Sequence, residues 1–264
     1  MDRSYNMVMP SCSKQKNPKG IEITFIEDSH KYFSIIDGQE IDYTSGTTFV
    51  NSFFPKFDPT GEITQRVALR EGVSPEVITR RWKEKGRKSS EFGTKIHETI
   101  EDVLRGNMLR NKPNDEKERN TMKKAVVLGK KLLERLDIIG IEQIVFDSDI
   151  RIAGTMDLFG RSKKDGKLWI LDHKTNESID TFNKYNKFAL RPIQHVADTN
   201  YFHYTLQLNL YENILKRAEY VSKDEPIEKA LLHITESAVK TYQLPRAQKE
   251  IEAMIEYFTT GGTH

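Results

Sequence analysis

Asp172 and Lys174 stand two residues apart in Leu-Trp-Ile-Leu-Asp-His-Lys-Thr, at the polar end of an otherwise apolar run. In a strand, residues two apart point to one face. An acid and an ammonium group there are costly to bury unless paired or solvated. Alone, the triplet also describes a simple surface pair. Asp157, in Ile-Ala-Gly-Thr-Met-Asp, lies one run earlier. A hairpin closed at Asp165-Gly166 sets Asp157 opposite Lys174, and a two-residue shift sets it opposite Asp172; both keep the same face. Two neighbouring carboxylates repel and require a proton or a cation. Oxygen donors of this kind suit a hard divalent ion, Mg2+ or Mn2+. A cross-strand salt bridge between Asp157 and Lys174 fits the same pattern.

Three other features could join that patch. Gly93 to His97 reads Gly-Thr-Lys-Ile-His, with Glu101 one helical turn beyond His97. His97 and Glu101 share a helix face beside the apolar stripe of Phe92, Ile96, Ile100, Val103 and Leu104. His97 there is either a satisfied, partly buried imidazole or a metal ligand. Gly154, three residues before Asp157, marks a bulge or the close approach of another group. Gln207 and Tyr211 are i, i+4 neighbours beside Leu206, Leu210 and Ile214, and offer an amide and a phenol able to orient a lysine or hold a phosphate.

The elements that must position these groups follow from periodicity. Residues 21–45 alternate apolar and polar around Asp37-Gly38, predicting a β-meander or hairpin set. Residues 47–54 turn helical. A helix runs from Thr60 to about Arg70, and another starts at Ser74-Pro75-Glu76 and stops near Gly86. Ser89 or Ser90 starts a further helix ending at Gly106, and residues 114–136 form a longer one. Three short strands follow (141–147, 149–161, 167–175), then a helix over 204–218, two strand-like runs within 226–241 and a terminal helix over 246–258. Strands flanked by helices predict an α/β core with a helical insertion before it. Residues 1–20 are expected to be a flexible tail, and residues 21–264 a single domain.

The chain has 264 residues, 41 basic and 39 acidic, for a net charge of +2. Partners are therefore read from local clusters. One cysteine, Cys12, excludes a disulfide framework, a Cys-rich zinc module and a self-contained iron–sulfur cluster. A mean hydropathy of −0.63 and the lack of a long apolar run argue against a membrane span. The N-terminus has no apolar segment of a secretory signal and little of a mitochondrial transit pattern, so a cytoplasmic protein is expected. Arg80, Arg81, Lys85, Arg87 and Lys88 cluster around Trp82, as single-strand binding requires, although a solvated helix face has the same composition. Lys184 and Lys187 alternate with Phe182, Tyr185 and Phe188 in a loop that either covers a substrate or is ordinary surface.

Taken in order, Gly-Thr-Lys-Ile-His, Ile-Ala-Gly-Thr-Met-Asp, Leu-Asp-His-Lys and Gln-Leu-Asn-Leu-Tyr resemble the PD-(D/E)XK nuclease superfamily, in particular its RecB-type exonuclease branch. The resemblance spans residues 93–211. It implies a restriction-endonuclease-like α/β core, a mixed central sheet flanked by helices, over 91–264. Residues 21–90 would then be a β-hairpin and helical extension carrying the DNA contacts of Arg80, Arg81, Trp82, Lys85, Arg87 and Lys88. His97, Asp157, Asp172 and the backbone carbonyl of His173 would hold Mg2+ or Mn2+. Lys174 would position or help deprotonate the attacking water, and Gln207 and Tyr211 would orient Lys174 or contact DNA. Glu101 and Glu142 would have supporting roles. With Cys12 alone, the chain fits the members that lack an iron–sulfur cluster, found in phage and mitochondria. It has no phosphate-binding loop, so a helicase or recombination protein would be a separate chain. The implied activity is exonucleolytic, on single-stranded DNA or DNA ends, in bacterial or phage-infected cytoplasm. A structure-selective endonuclease or junction resolvase on the same core, or a non-catalytic nucleic-acid-binding module, are the alternatives.

Overall fold

A computed structural model describes residues 12–262. The alternating N-terminal segment forms four antiparallel strands: β1 (Cys12–Lys16), β2 (Glu22–Ile26), β3 (Lys31–Ile36) and β4 (Gln39–Ser45). Residues 12–16 therefore belong to the sheet and not to the expected tail, because β1 pairs with β2 from Cys12↔Ile26 to Lys16↔Glu22. Residues 1–11 of that expected tail lie outside the described residues.

Three helices follow: α1 (Gly46–Asn51), α2 (Glu62–Glu71) and α3 (Pro75–Arg105). The expected break at Gly86 does not occur. A glycine inside a helix costs about 1 kcal/mol but does not end it. Ending it takes a left-handed residue just past the last turn. Gly72 (φ 66°) after α2 and Gly106 (φ 71°) after α3 supply that conformation, whereas Gly86 lies within α3. α4 (Glu116–Arg135) starts where the Asp115 side chain accepts the Glu118 N–H at 2.8 Å. It leads directly into β5 (Leu136–Asp147), which begins five residues before the run expected from sequence. β6 (Ile152–Ser162), β7 (Leu168–Lys174), α5 (Asn200–Arg217), β8 (Ile227–Ile234), β9 (Val239–Gln243) and α6 (Gln248–Thr259) complete the chain.

The strands form one open, mostly antiparallel sheet in the order β1-β2-β3-β4-β6-β7-β8-β9, with β5 also on β6. Only β4–β6 and β7–β8 are parallel. Helices cover both faces of this mixed α/β fold. Ile96 and Ile100 of α3 and Leu132 of α4 pack on Leu158, Leu171 and Leu232. On the opposite face, Leu210 and Ile214 of α5 and Ile251 of α6 pack on Ile152, Ile170 and Leu231. Ile23, Tyr32 and Tyr43 of the meander close over Ile144 and Phe146 of β5.

The sharing of β6 matters most for the site. β5 pairs along its length, while the other edge meets β4 only at Ile152 and Ala153 and β7 only from Leu158 to Arg161. Gly154 to Asp157 therefore face a gap in the sheet.

α5 is anchored on its far side by an ion pair of Glu212 with Lys229 of β8, itself 1% exposed; within α5, Lys216 also reaches Glu212 at 2.8 Å. Removing one partner of a buried pair strands the other charge, at a cost of about 3–5 kcal/mol. Glu212→Leu, which strands Lys229, is expected to lose about that much stability in urea unfolding, and Glu212→Leu with Lys229→Met to recover most of it.

Candidate metal centre and adjoining cleft

The centre lies where β6 and β7 part. Their ladder ends at Leu158↔Leu171, which corresponds to the shifted register, with Asp157 level with Asp172. Beyond that pair the next backbone N–H of β7 is taken by a side chain: Asp157 Oδ2 accepts the His173 N–H at 2.7 Å. Alternation along β7 sends Asp172 and Lys174 toward α5 and His173 toward α3. Lys174 ion-pairs with Asp172, and its Nζ lies 4.7 Å from the centre of the Tyr204 ring on α5. The His173 ring stands edge-on to His97 of α3, 5.5 Å between centroids. His97 Nδ1 and His173 Nδ1 each lie 3.4 Å from Asp157 Oδ2. The three side chains offer donor atoms all within 4.8 Å of one another.

His97, Asp157, Asp172 and Lys174 are thus brought together, with a difference in the donor set. Asp172 is engaged by Lys174, and the imidazole of His173 faces the cluster. The resemblance implies only the backbone carbonyl of His173 as a ligand, and the side chain of the middle residue of an Asp-x-Lys triplet points away from its neighbours. The helix packed on that other face carries His97, so both faces converge at the fork.

The electrostatics indicate a shortage of positive charge. Burial opposes ionisation of Asp157, but His97, the His173 hydrogen bond and Lys174 outweigh it and hold the carboxyl below the usual range. Burial, and then the charge of Asp157, push Asp172 up against the pull of Lys174. Burial works against a charged Lys174, yet Asp172 and Asp157 keep its ammonium protonated, above the usual lysine value. Burial lowers His97, leaving the neutral imidazole that metals bind. Glu142 of β5 is pushed up to about 8 by burial and then by Asp157, Glu101 and Asp172. It lies mid-strand, not at the strand's start, with a left-handed φ of 51°. Gln15 of β1 holds that backbone, donating to the Glu142 carbonyl at 3.2 Å and accepting the Ile144 N–H at 3.0 Å. Two converging imidazoles and a carboxylate form a donor set that fits a divalent cation.

Glu101 stays on the His97 side of α3, its side chain 19% exposed, but is paired with Arg105 and Arg110 at 2.9 Å each and is not among the donor atoms gathered around Asp157. Gln207 donates to the Tyr211 hydroxyl at 2.9 Å and to Thr47 at 3.1 Å. The Tyr211 ring fills the gap in the sheet. A Cβ on Gly154 would stand 2.4 Å from its Cε1, and one on Gly46 2.8 Å, so both positions need glycine. Among the described residues no hydrogen bond joins Gln207 or Tyr211 to Lys174. Tyr204 covers that ammonium instead, fixed by its hydroxyl on Asn176 at 3.0 Å. Tyr204 was legible from spacing, since 204, 207 and 211 share one helix stripe.

A cleft of about 2130 Å³ adjoins the centre, between α3, α4 and the segment after β7. Thr175 and Asn176, directly after Lys174, are in its wall, and α3 passes so close there that a Cβ on Gly93 would stand 3.3 Å from Thr175; His97, Asp157, Asp172 and Lys174 themselves do not line it. Arg80, Arg81, Lys85, Arg87 and Lys88 line it, and Lys95, Lys117, Lys123 and Lys124 face them without having been singled out from sequence. Several of the α3 cations are already paired: Arg81 with Glu71, Lys85 with Glu177, and Arg87 with Glu84 and Glu91. Trp82 is not in the cleft wall; it packs near Phe57, 5.6 Å between ring centroids. Phe182 and Tyr185 of the aromatic loop are exposed and also lie outside it.

No family model and no curated protein matches the chain. Among solved structures, "Crystal structure of SSO0001" is similar over 62% of this chain and 85% of its own, at 15% identity and a TM-score of 0.26, too weak a likeness to carry an argument. Among the described residues no helix is long and apolar enough to cross a membrane.

Because Glu142 titrates higher in the folded chain than unfolded, the native state holds an extra proton above pH ~4.3, the ordinary glutamate value. Folding stability is therefore lost as pH rises from there through about 8. Glu142→Gln in chelator is expected to change stability little at pH 4 and to raise it at pH 8.5, read by chemical unfolding at both.

Proposed function

We propose that the chain is a metal-dependent deoxyribonuclease on a PD-(D/E)XK core of the RecB type, lacking an iron–sulfur cluster, and that it works as an exonuclease on single-stranded DNA or DNA ends. The observation that carries this reading is the fork itself. Asp157, Asp172 and Lys174 meet His97, and Thr175, the residue after Lys174, is in the wall of a cleft rich in cations.

His97 and Asp157, with the His173 imidazole beside them, would hold Mg2+ or Mn2+, and Asp172 would join them to the extent that Lys174 releases it. A divalent ion bound there supplies an activated water and neutralises charge on the scissile phosphate. Lys174 is better suited to stabilise the more anionic transition state than to take a proton, since both aspartates hold it charged. The Tyr204 ring and Asp172 fix where that ammonium points. Tyr211 and Gln207 support the start of β6, so their part is positional. The cations of the cleft would carry the phosphate backbone, and binding should weaken steeply with salt. A helicase or recombination protein acting on the same DNA would supply strands to this chain in the cytoplasm.

End-labelled single strands and covalently closed circles, incubated with Mn2+ or Mg2+, test the reading. Labelled ends should be released and closed circles left intact, with a chelator stopping the reaction. Lys174→Ala should lower the rate by about 10²–10³ or more without weakening DNA binding, and Asp157→Asn should abolish the calorimetric signal of Mn2+ binding. Efficient cutting of closed circles would move the assignment to an endonuclease. No cleavage with either metal would remove it.

A further inference from the structure

Beyond the catalytic cleft, α4 carries a second feature. Lys117, Lys124, Lys131 and Arg135 are spaced by seven, seven and four residues, which sets them in one stripe about 27 Å long at 1.5 Å per residue. Among the described residues, none of these four cations forms an ion pair, in contrast to Arg81, Lys85, Arg87 and Lys88 on α3. Unpaired cations in a row repel one another and call for a polyanion.

The stripe does not end with the cleft. A second groove, of about 680 Å³, runs between α4 and the β8–β9 hairpin, with Lys131 and Arg135 on its α4 wall. It shares Lys123, Lys124 and Ser237 with the cleft, so the two adjoin. Its floor is apolar: Val127 is 51% and Val239 37% exposed, beside Leu128 and Ala238.

We propose that a single nucleic-acid strand lying in the cleft continues along α4 through this groove, its phosphates on the stripe and its bases against Val127 and Val239. This rests on the nuclease reading and specifies the substrate further: a strand long enough to reach from the fork to Arg135. A duplex keeps its base faces stacked and would leave the apolar floor unused, whereas an unpaired strand presents them.

The test uses the full chain and oligothymidylates of about 6 and about 30 nucleotides, spanning the usual range of single-strand sites. Lys131→Ala with Arg135→Ala, at two exposed positions, removes two phosphate contacts. In chelator, the slope of log affinity against log salt for the long strand should become shallower by about 1.4, or 0.7 for each phosphate. With Mn2+, KM should rise for the long strand while kcat and short-strand cleavage stay unchanged. If the unaltered protein binds and cleaves both lengths and the double variant changes neither, or changes both alike, the track is wrong and the nuclease reading stands. If the unaltered protein binds neither length, the nuclease reading falls and the track falls with it. A groove that instead takes an acidic peptide would show the first of these patterns.

Discussion

The site depends on one hydrogen bond that a side chain takes from the sheet. Past Leu158↔Leu171 the β6–β7 ladder could continue, but Asp157 Oδ2 receives the His173 N–H in place of a backbone carbonyl. That bond lets the strands part without leaving a buried donor unpaired, a cost of about 1–3 kcal/mol. It also holds the carboxylate between the two faces of the sheet. Asp157 can then face His97 from the α3 side while remaining level with Asp172 and Lys174 on the α5 side. Without the fork, those groups would be separated by the thickness of a strand.

The gap has to be filled, and this accounts for the glycines. The Tyr211 ring occupies it, in contact range of the positions where Gly46 and Gly154 lack a Cβ. Gln207 links the Tyr211 hydroxyl to Thr47 of α1, so the beginning of α1, the start of β6 and the middle of α5 are tied at one point. Tyr32 of the meander meets Thr155 at 2.9 Å on the same open stretch. The N-terminal strands are thus part of the wall around the centre, and Gln15 of β1 holds the left-handed backbone that carries Glu142.

Charge is distributed unevenly over this frame. At the fork acids outnumber their partners, and Glu142 takes up the excess by remaining protonated. Along α4 the imbalance has the opposite sign. A molecule that brings a cation to the first region and phosphates to the second would relieve both, which is what the proposed reaction would require of its substrate.

Local chemistry made much of this legible in the sequence. The alternation that aligns Asp172 with Lys174, the meander, the amphipathic stripes of α3 and α5 and the left-handed stop at Gly106 all follow from neighbours a few residues apart. Asp157 is expected on the face of Asp172 and Lys174 in either register, but the fork holds its carboxylate between the two faces, against His97 and His173. Other features depended on segments far apart in the chain. Gly86 reads as a stop, but the helix continues through it, since one glycine costs only about 1 kcal/mol and no left-handed residue follows to end the helix before Gly106. The His173 imidazole became relevant only because α3 brings His97 to the opposite face, and Glu101 is taken up by Arg105 and Arg110 instead of joining the donor atoms at Asp157. Composition cannot separate the unpaired cations of α4 from the paired ones of α3, because pairing is set by which helices lie alongside. The sequence by itself determined which groups could act and on which face of their own element they stand. The tertiary structure decided which faces meet, because burial, charge and contact at the fork are set by four segments that are distant along the chain.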